Sequence, residues 1–295
     1  MSTEQQRILI TGAGGQLGTF LRRTAPAGCR VTALTRAALD LACRDAVTKA
    51  VERESPHWIL NAGAYTAVDA AESDSETAYA VNADGAGRLA RAAAANGARM
   101  VQVSTDFVFD GSRPTPYRPD ATPNPLNVYG ASKLAGELAV RDELGARAVI
   151  VRTAWVYAPF GGNFVLSLLR LLRQRDHLDV VDDQIGTPTS AEGLAHAVWA
   201  VVVRGLSGTF HWTDAGVASW FDFALAVRDE AVAAGLLSRR TPIRPIPAAE
   251  FPRPARRPPF SVLDKTSSWR ALEASPQHWR TALQAVLRRR MENAA

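Results

Sequence analysis

Cysteine is scarce: Cys29 and Cys43 are the only two in 295 residues. That is too few for a disulfide framework, and neither has the spaced His or Cys partners of a zinc site. Both are expected as reduced, structural thiols, and no metal is assigned. No apolar run approaches the roughly 18 residues that a membrane span needs. The N-terminal stretch Met1–Arg7 leads straight into an apolar segment and lacks the hydrophobic region of a secretory signal. A cytoplasmic protein without a membrane partner is expected. Much of the net charge of +5 sits in Arg253, Arg256, Arg257 and the run Arg288, Arg289, Arg290, which reads as solvated faces or tails. Without interleaved aromatics or a DNA-reading motif, nucleic-acid binding is not expected.

What is present is an alternation of short apolar runs with helical stretches. Arg7–Thr11 reads as a strand, followed by the turn Gly12-Ala13-Gly14-Gly15-Gln16-Leu17-Gly18 and a helix. Glycine serves three ends here: a tight turn, close approach of backbone to a pyrophosphate, and close packing of helix on strand. The helix N-terminus then offers free N–H groups to phosphate. A second strand, 30–35, ends at Arg36, with the nearest carboxylate, Asp40, several residues on. An arginine there accommodates a 2′-phosphate, which favours NADP(H) over NAD(H); the competing reading is an ordinary surface arginine. Residues 45–54 read as a helix and 58–61 as a third strand that runs into Ala62-Gly63-Ala64-Tyr65-Thr66. The small residues let a cofactor lie against the strand end. Tyr65 and Thr66 are placed to reach its ribose or phosphates, although Tyr65 alone reads equally as a packing residue. An Ala-rich stretch, 76–96, is expected as one long helix stopped by Asn96-Gly97.

The stretch 101–109 reads as a buried strand that ends in the polar cluster Ser104-Thr105-Asp106. An irregular loop with prolines at 114, 116, 119, 123 and 125 follows. Then Tyr129 and Lys133 stand four apart at the start of a helix that Asn127 is placed to cap. One helix face therefore carries a phenol and an ammonium, and with Thr105 opposite they form an acid–base site. Asp106 has two open readings, orienting a substrate or capping the turn after the strand. Residues 148–152 give a fifth strand. Such alternation means an α/β fold, a Rossmann-type doubly wound parallel sheet covered on both faces. Gly12, Ala62, Thr105 and Thr153 all fall at carboxyl ends of strands, where ligands of such sheets bind.

After residue 154 the pattern changes. Helices are expected at 163–174, 191–204, 220–234 and 277–291, strands at 178–181 and 209–212, and a polar turn at 183–189; residues 242–259 show no periodicity. Residues 1–154 are expected as the dinucleotide-binding domain, rejoined by about 186–215, and 155–295 mainly as a smaller substrate-binding lobe. Arg256 and Arg257 suit a pyrophosphate or a solvated loop. His196 and His211, each on an apolar stretch, read as structural.

With these residues assembled, the chain resembles the dTDP-4-dehydrorhamnose reductases of the extended short-chain dehydrogenase/reductase superfamily. The resemblance is carried by Gly12–Gly18, Leu39-Asp40-Leu41, Asn61–Asp69 with Glu72, Ser104–Gly111, Tyr129–Lys133, Arg152–Tyr157, Asp183–Thr189, and Arg256–Pro258 through Ser261–Asp264. It implies reduction of the 4-keto group of dTDP-4-dehydro-L-rhamnose to dTDP-L-rhamnose by NADPH or NADH. By position it implies Thr105, Tyr129 and Lys133 as catalytic residues. Gly15, Gln16, Leu17, Asp40, Leu41, Ala64, Tyr65 and Thr66 would be cofactor contacts, and Val68, Asp106 and Trp155 would line the sugar pocket. Two positions depart from the pattern: Phe107 where tyrosine is frequent, and Arg118 where an acid often follows Pro-Tyr. Related 4,6-dehydratases carry Thr-Asp-Glu where this chain has Thr-Asp-Phe, so elimination lacks its extra carboxylate. Two alternatives stand: a reductase of another nucleotide-linked 4-keto-deoxysugar in natural-product biosynthesis, and a non-catalytic NADP-binding regulatory subunit. A monomer or a homodimer fits equally.

Overall fold

The structure is a computed structural model that describes residues 5–274 and 276–292. The expected absence of a leader rests partly on residues 1–4, and the second lobe extends over 275 and 293–295; these lie outside the described residues.

Strand β1 (Gln6–Thr11) carries Ile8, Leu9 and Ile10, all buried. A strand apolar on both faces has to sit between two helical layers, and this one does. Among the described residues, β1, β2 (Cys29–Leu34), β3 (Trp58–Asn61), β4 (Arg99–Thr105), β5 (Ala148–Thr153) and the strand Gly208–His211 form one sheet. The order is Gly208–His211, β5, β4, β3, β1, β2, and every neighbouring pair is parallel. One face packs on helices α1 (Gln16–Arg23) and Ala191–Val203 through Ile8, Ile10, Phe20 and Trp199. The other packs on α2 (Arg44–Glu54), Gly85–Ala95 and Val128–Leu144 through Leu9, Ile59, Leu89 and Val140. Each such side chain contributes roughly 1.5–3 kcal/mol on burial. The chain leaves β1 toward β2 on one side and returns to β3 on the other, and that reversal opens a crevice at the carboxyl ends.

A second cluster gathers around Phe223, Leu168 and Leu283 from the helices Phe164–Gln174, Trp220–Ala233 and Trp279–Glu292.

Three expectations need correction. The stretch 76–96 is not one α-helix: Ser75–Tyr79 is followed by a π-helical turn, Ala80–Asp84, and then Gly85–Ala95. The wide turn carries Asn82, whose amide bonds both the Tyr65 backbone and Ser132; tertiary contacts override the helical propensity of the alanines. The segment 242–259 does contain a strand, Ile243–Ile246, parallel to Leu178–Val181. Pro245 obscures it in sequence and is tolerated because the ladder has only two strands. Within 183–189, Ile185 and Gly186 pair with Ser219 and Ala218, and Thr187 and Thr189 are fully buried rather than displayed in a polar turn.

Candidate active site

At the end of β1 the backbone turns at Gly12 with φ +68; a methyl there would lie 2.5 Å from the Gly63 nitrogen. Only glycine lets the two strand ends close up so tightly. Helix α1 then begins with Gly15 at its cap position and no side chain bonded to its first N–H groups. Those donors face the ligand side of the sheet, an arrangement suited to phosphate.

The strand ends are held by a buried amide chain. Thr11 Oγ1 donates to Asn61 Oδ1 at 2.6 Å, Asn61 Nδ2 to Gln102 Oε1 at 2.7 Å, and the Gly63 N–H bonds back to Asn61 at 3.1 Å. Over this chain lies a cavity of about 560 Å³ lined by Gly14, Gly15, Gln16, Leu17, Ala62, Ala64 and Thr66 at one end. Thr105, Asp106, Tyr129, Lys133, Thr153 and Trp155 line its other end. A second cavity, about 230 Å³, shares Gly14, Gly15, Ala62 and Ala64 with the first and adds Gly12, Arg36, Asp40, Leu41 and Tyr65. Together they form one trough long enough for a dinucleotide, with Arg36 at the far end. Of the residues assigned above to catalysis, the cofactor or the sugar, only Val68 lines neither; it opens a short helix, Val68–Ala71, and Arg256 and Arg257 also lie outside both cavities.

The acid–base residues converge. Thr105 Oγ1 accepts from the Phe107 N–H at 3.1 Å and donates to Asp106 Oδ1 at 3.0 Å. Thr105, not Asp106, therefore caps the 3₁₀ turn Asp106–Val108. The capping side chain of that turn is thus Thr105, and Asp106 Oδ2 is buried without a close hydrogen-bond partner. The Thr153 hydroxyl, in register with Thr105 across β4 and β5, is also buried and without a partner. Both residues contribute to the wall of the large cavity.

Tyr129 sits in the first turn of Val128–Leu144, capped by Asn127, which accepts from the Gly130 N–H at 2.8 Å. Burial pushes the Tyr129 phenol up to about 12; the Thr105 hydrogen bond opposes that shift and the Asp106 charge adds to it. Lys133 is buried and donates to the Val103 carbonyl at 2.7 Å. Burial brings its ammonium down to about 8, against the pull of Glu137 one turn on. Burial also raises Asp106 to about 6. A phenol shielded in this way holds its proton at neutral pH.

The helix that carries Tyr129 and Lys133 is fixed from below. Arg152 on β5 forms a fully buried bidentate pair with Glu137 at 2.9 and 2.7 Å. His211, 3.5 Å from Arg152 and bonded to the Tyr117 carbonyl, is brought down to about 3 chiefly by burial and stays neutral. It is structural, as expected; His196 instead lies exposed on its helix. Trp155 takes a left-handed backbone, φ +47, and stacks on Trp220 with ring centroids 3.5 Å apart. Sequence reading missed Asn82, Gln102 and the Gln16–Asn163 bond of 2.8 Å that ties the cap of the helix Phe164–Gln174 to the glycine turn. A lone amide inside an Ala-rich or apolar run carries no local signal of its partner.

Sheet, glycine turn and Tyr/Lys helix define a Rossmann-type protein of the short-chain dehydrogenase/reductase class. The RmlD substrate binding domain model matches residues 6–291, and the chain belongs to that family. It is 42% identical to the dTDP-4-dehydrorhamnose reductase of Sinorhizobium fredii over 87% of this chain and 88% of that one. It is 40% identical to the dTDP-4-keto-6-deoxy-D-glucose reductase of Streptomyces niveus over 94% of this chain and 95% of that one. The crystal structure of dTDP-4-dehydrorhamnose reductase from Bacillus anthracis in complex with NADP superposes with a TM-score of 0.90 at 35% identity, covering 96% of this chain and 98% of that one.

Proposed function

We propose that this protein reduces the 4-keto group of dTDP-4-dehydro-L-rhamnose to give dTDP-L-rhamnose, with NADPH as reductant and Tyr129 as proton donor. The observation that carries this reading is the meeting of Thr105, Tyr129 and Lys133 in one wall of the cavity whose other end is the glycine turn. The residues fit a dinucleotide: uncapped N–H groups at α1, the small residues Ala62 and Ala64, and Arg36 with Asp40 at the rim. Gly12, Gly15, Gln16 and Leu17 take the pyrophosphate. Leu41, Tyr65 and Thr66 flank the adenosine half, and Arg36 favours the 2′-phosphate of NADPH over the free hydroxyl of NADH. When bound, the cofactor supplies a hydride.

Every remaining step belongs to the chain. Tyr129, protonated at neutral pH, gives its proton to the carbonyl oxygen as charge develops there. Lys133, cationic below about pH 8, stabilises the phenolate left behind and holds the nicotinamide ribose. Thr105 turns its single hydroxyl proton from Asp106 to the same oxygen, its own oxygen held in place by the bond from the Phe107 N–H. Asp106 and Trp155 orient the sugar, with Val68 at the outer edge of that pocket. Residues 155–295 act mainly as the substrate-binding lobe, and residues 1–154, rejoined by the strand Gly208–His211, hold the dinucleotide. NADPH oxidation followed with dTDP-4-dehydro-L-rhamnose, and NMR of the product at C4, tests the assignment.

The similarity to the Streptomyces niveus reductase favours a second reading, reduction of a different dTDP-4-keto-6-deoxysugar. Turnover of that sugar in preference to dTDP-4-dehydro-L-rhamnose would decide for it.

A further inference from the structure

The smaller cavity, with Arg36 at its rim, has walls built from segments far apart in the chain. One wall is the loop after β2, which contributes Arg36, Leu39, Asp40 and Leu41; facing it is the π-helical turn Ala80–Asp84, which contributes Val81. The loop is seated by apolar plugs. Leu39 and Leu41 are buried, while Arg36 and Asp40 stay exposed. Two glycines admit Leu41: a methyl on Gly63 would lie 3.0 Å from its Cδ1, and one on Gly85 would lie 2.9 Å from its Cβ.

So close a fit brings main-chain oxygens of the two walls together. The same methyl on Gly85 would lie 3.1 Å from the Leu41 carbonyl oxygen and 3.3 Å from that of Ala80. Carbonyl oxygens converging over one bare Cα repel each other unless donors are placed among them. Arg88, one turn on in the helix Gly85–Ala95, supplies those donors. Its Nη1 donates to the Leu41 carbonyl at 3.2 Å and the Ala42 carbonyl at 3.1 Å, and it reaches the Ala80 carbonyl at 3.4 Å. Two N–H bonds on one nitrogen are thus shared among three oxygens, and the positive charge sits where the carbonyl dipoles point. Nη2 leans on Asp84 Oδ2 at 3.5 Å, one turn back.

Arg88 lines neither cavity. It stands behind the wall, half-buried, and among the described residues it is the side chain bonded to both the loop and the π turn. What it holds is the loop on which Arg36 and Asp40 stand. Asp40 is already turned onto its own backbone, its Oδ1 accepting from the Ala42 N–H at 3.0 Å, and Ala42 is one of the residues that Arg88 grips. Charge-assisted hydrogen bonds to a phosphate depend on the placement of the guanidinium. A loop fixed before binding lowers the ordering cost of making them.

We infer that Arg88 is a positioning residue for cofactor selection: by tying the loop after β2 to the π turn, it sets how strongly a dinucleotide with a 2′-phosphate is preferred to one without. This inference rests on the proposed use of NADPH and adds the residue behind the cavity wall on which that preference depends. Selectivity is a difference of two affinities, and Arg88 acts on the difference through Arg36.

The test is fluorescence titration of the full chain with NADPH and with NADH, for wild type, Arg88→Met and Arg88→Lys, with melting temperatures taken on the same preparations. Arg88→Met, unbranched and without donors, is expected to weaken NADPH roughly tenfold and NADH much less, so the ratio of the two affinities falls. The KM for the nucleotide sugar should hold. Arg88→Lys keeps the charge on a single nitrogen; its ratio should lie between the other two, and it keeps the test available if the methionine variant does not fold. A wild-type preference for NADPH that every folded variant keeps, whether or not its melting temperature drops, contradicts the inference alone and leaves Arg88 as a tie between loop and helix. Wild-type protein that binds both cofactors equally well contradicts the NADPH reading and the inference with it.

Discussion

Gly136 lies against the carbonyl of Asn82 so closely that a methyl group on it would sit 2.1 Å from the oxygen. The catalytic helix and the π turn are thus in backbone contact one turn beyond Lys133. Gly136→Ala is expected to force the two apart. Overpacking of this kind costs about 1–3 kcal/mol, and because the displaced element carries Lys133, turnover should fall with stability. Urea denaturation and steady-state assays on the same preparation check both effects.

Asn82 is the other partner in that contact. Its amide makes three hydrogen bonds, two with the Tyr65 backbone and one with Ser132, at 2.9–3.0 Å. Asn82→Ala leaves buried polar groups unpaired, at about 1–3 kcal/mol, and frees the loop that flanks the adenosine half of the trough. The dissociation constant for NADPH is expected to rise roughly tenfold, the equivalent of 1.4 kcal/mol on that scale. Fluorescence titration of NADPH measures it.

The π turn also marks where sequence stopped being informative. Gly12–Gly18, the Tyr129–Lys133 spacing and the polar end of β4 were legible because each is local: backbone freedom, helix periodicity and a hydrophobic run with a polar terminus. All three depend on residues within a few positions of one another. The Asn82 contacts to Tyr65 and Ser132 span 17 and 50 residues, and within 76–96 an asparagine among alanines looks like any helical surface residue. The strand Ile243–Ile246 was hidden for a different reason, since Arg244 and Pro245 break the alternation that marks a strand. The state of the Tyr129 proton was not legible either. It follows from how the fold shields the phenol from water, which no spacing reveals.

The pH dependence follows from the same enclosure. Asp106 loses its proton above about 6 and Lys133 keeps its own below about 8. Both are charged only between those values, and Tyr129, at about 12, remains protonated throughout. Because kcat/KM reports groups of the free enzyme, its profile should rise through about pH 6 and fall through about pH 8. Asp106→Asn should remove the acid limb and leave the alkaline one in place. Rate profiles from about pH 4 to about pH 10 in a constant-ionic-strength buffer, an interval of about two units beyond either limb, distinguish the two.

Gly186 faces the Trp155 ring so closely that a methyl there would lie 2.6 Å from it. Gly186→Ala should push the indole off Trp220 and lose a stacked pair worth about 0.5–1.5 kcal/mol. The KM for the nucleotide sugar should rise correspondingly, by roughly three- to tenfold, with the KM for NADPH unchanged. Equal changes in both constants would show that the stacked Trp155–Trp220 pair does not belong to the sugar side of the site.

The most direct measurement is single-turnover NADPH oxidation by Tyr129→Phe with dTDP-4-dehydro-L-rhamnose. The substitution keeps the ring, its edge contact with Phe107 and the helix start, and removes only the hydroxyl that carries the proton. The rate is expected to fall by about 10²–10⁴, the usual contribution of a positioned general acid, while NADPH still binds. Wild-type turnover from the phenylalanine variant would contradict the account.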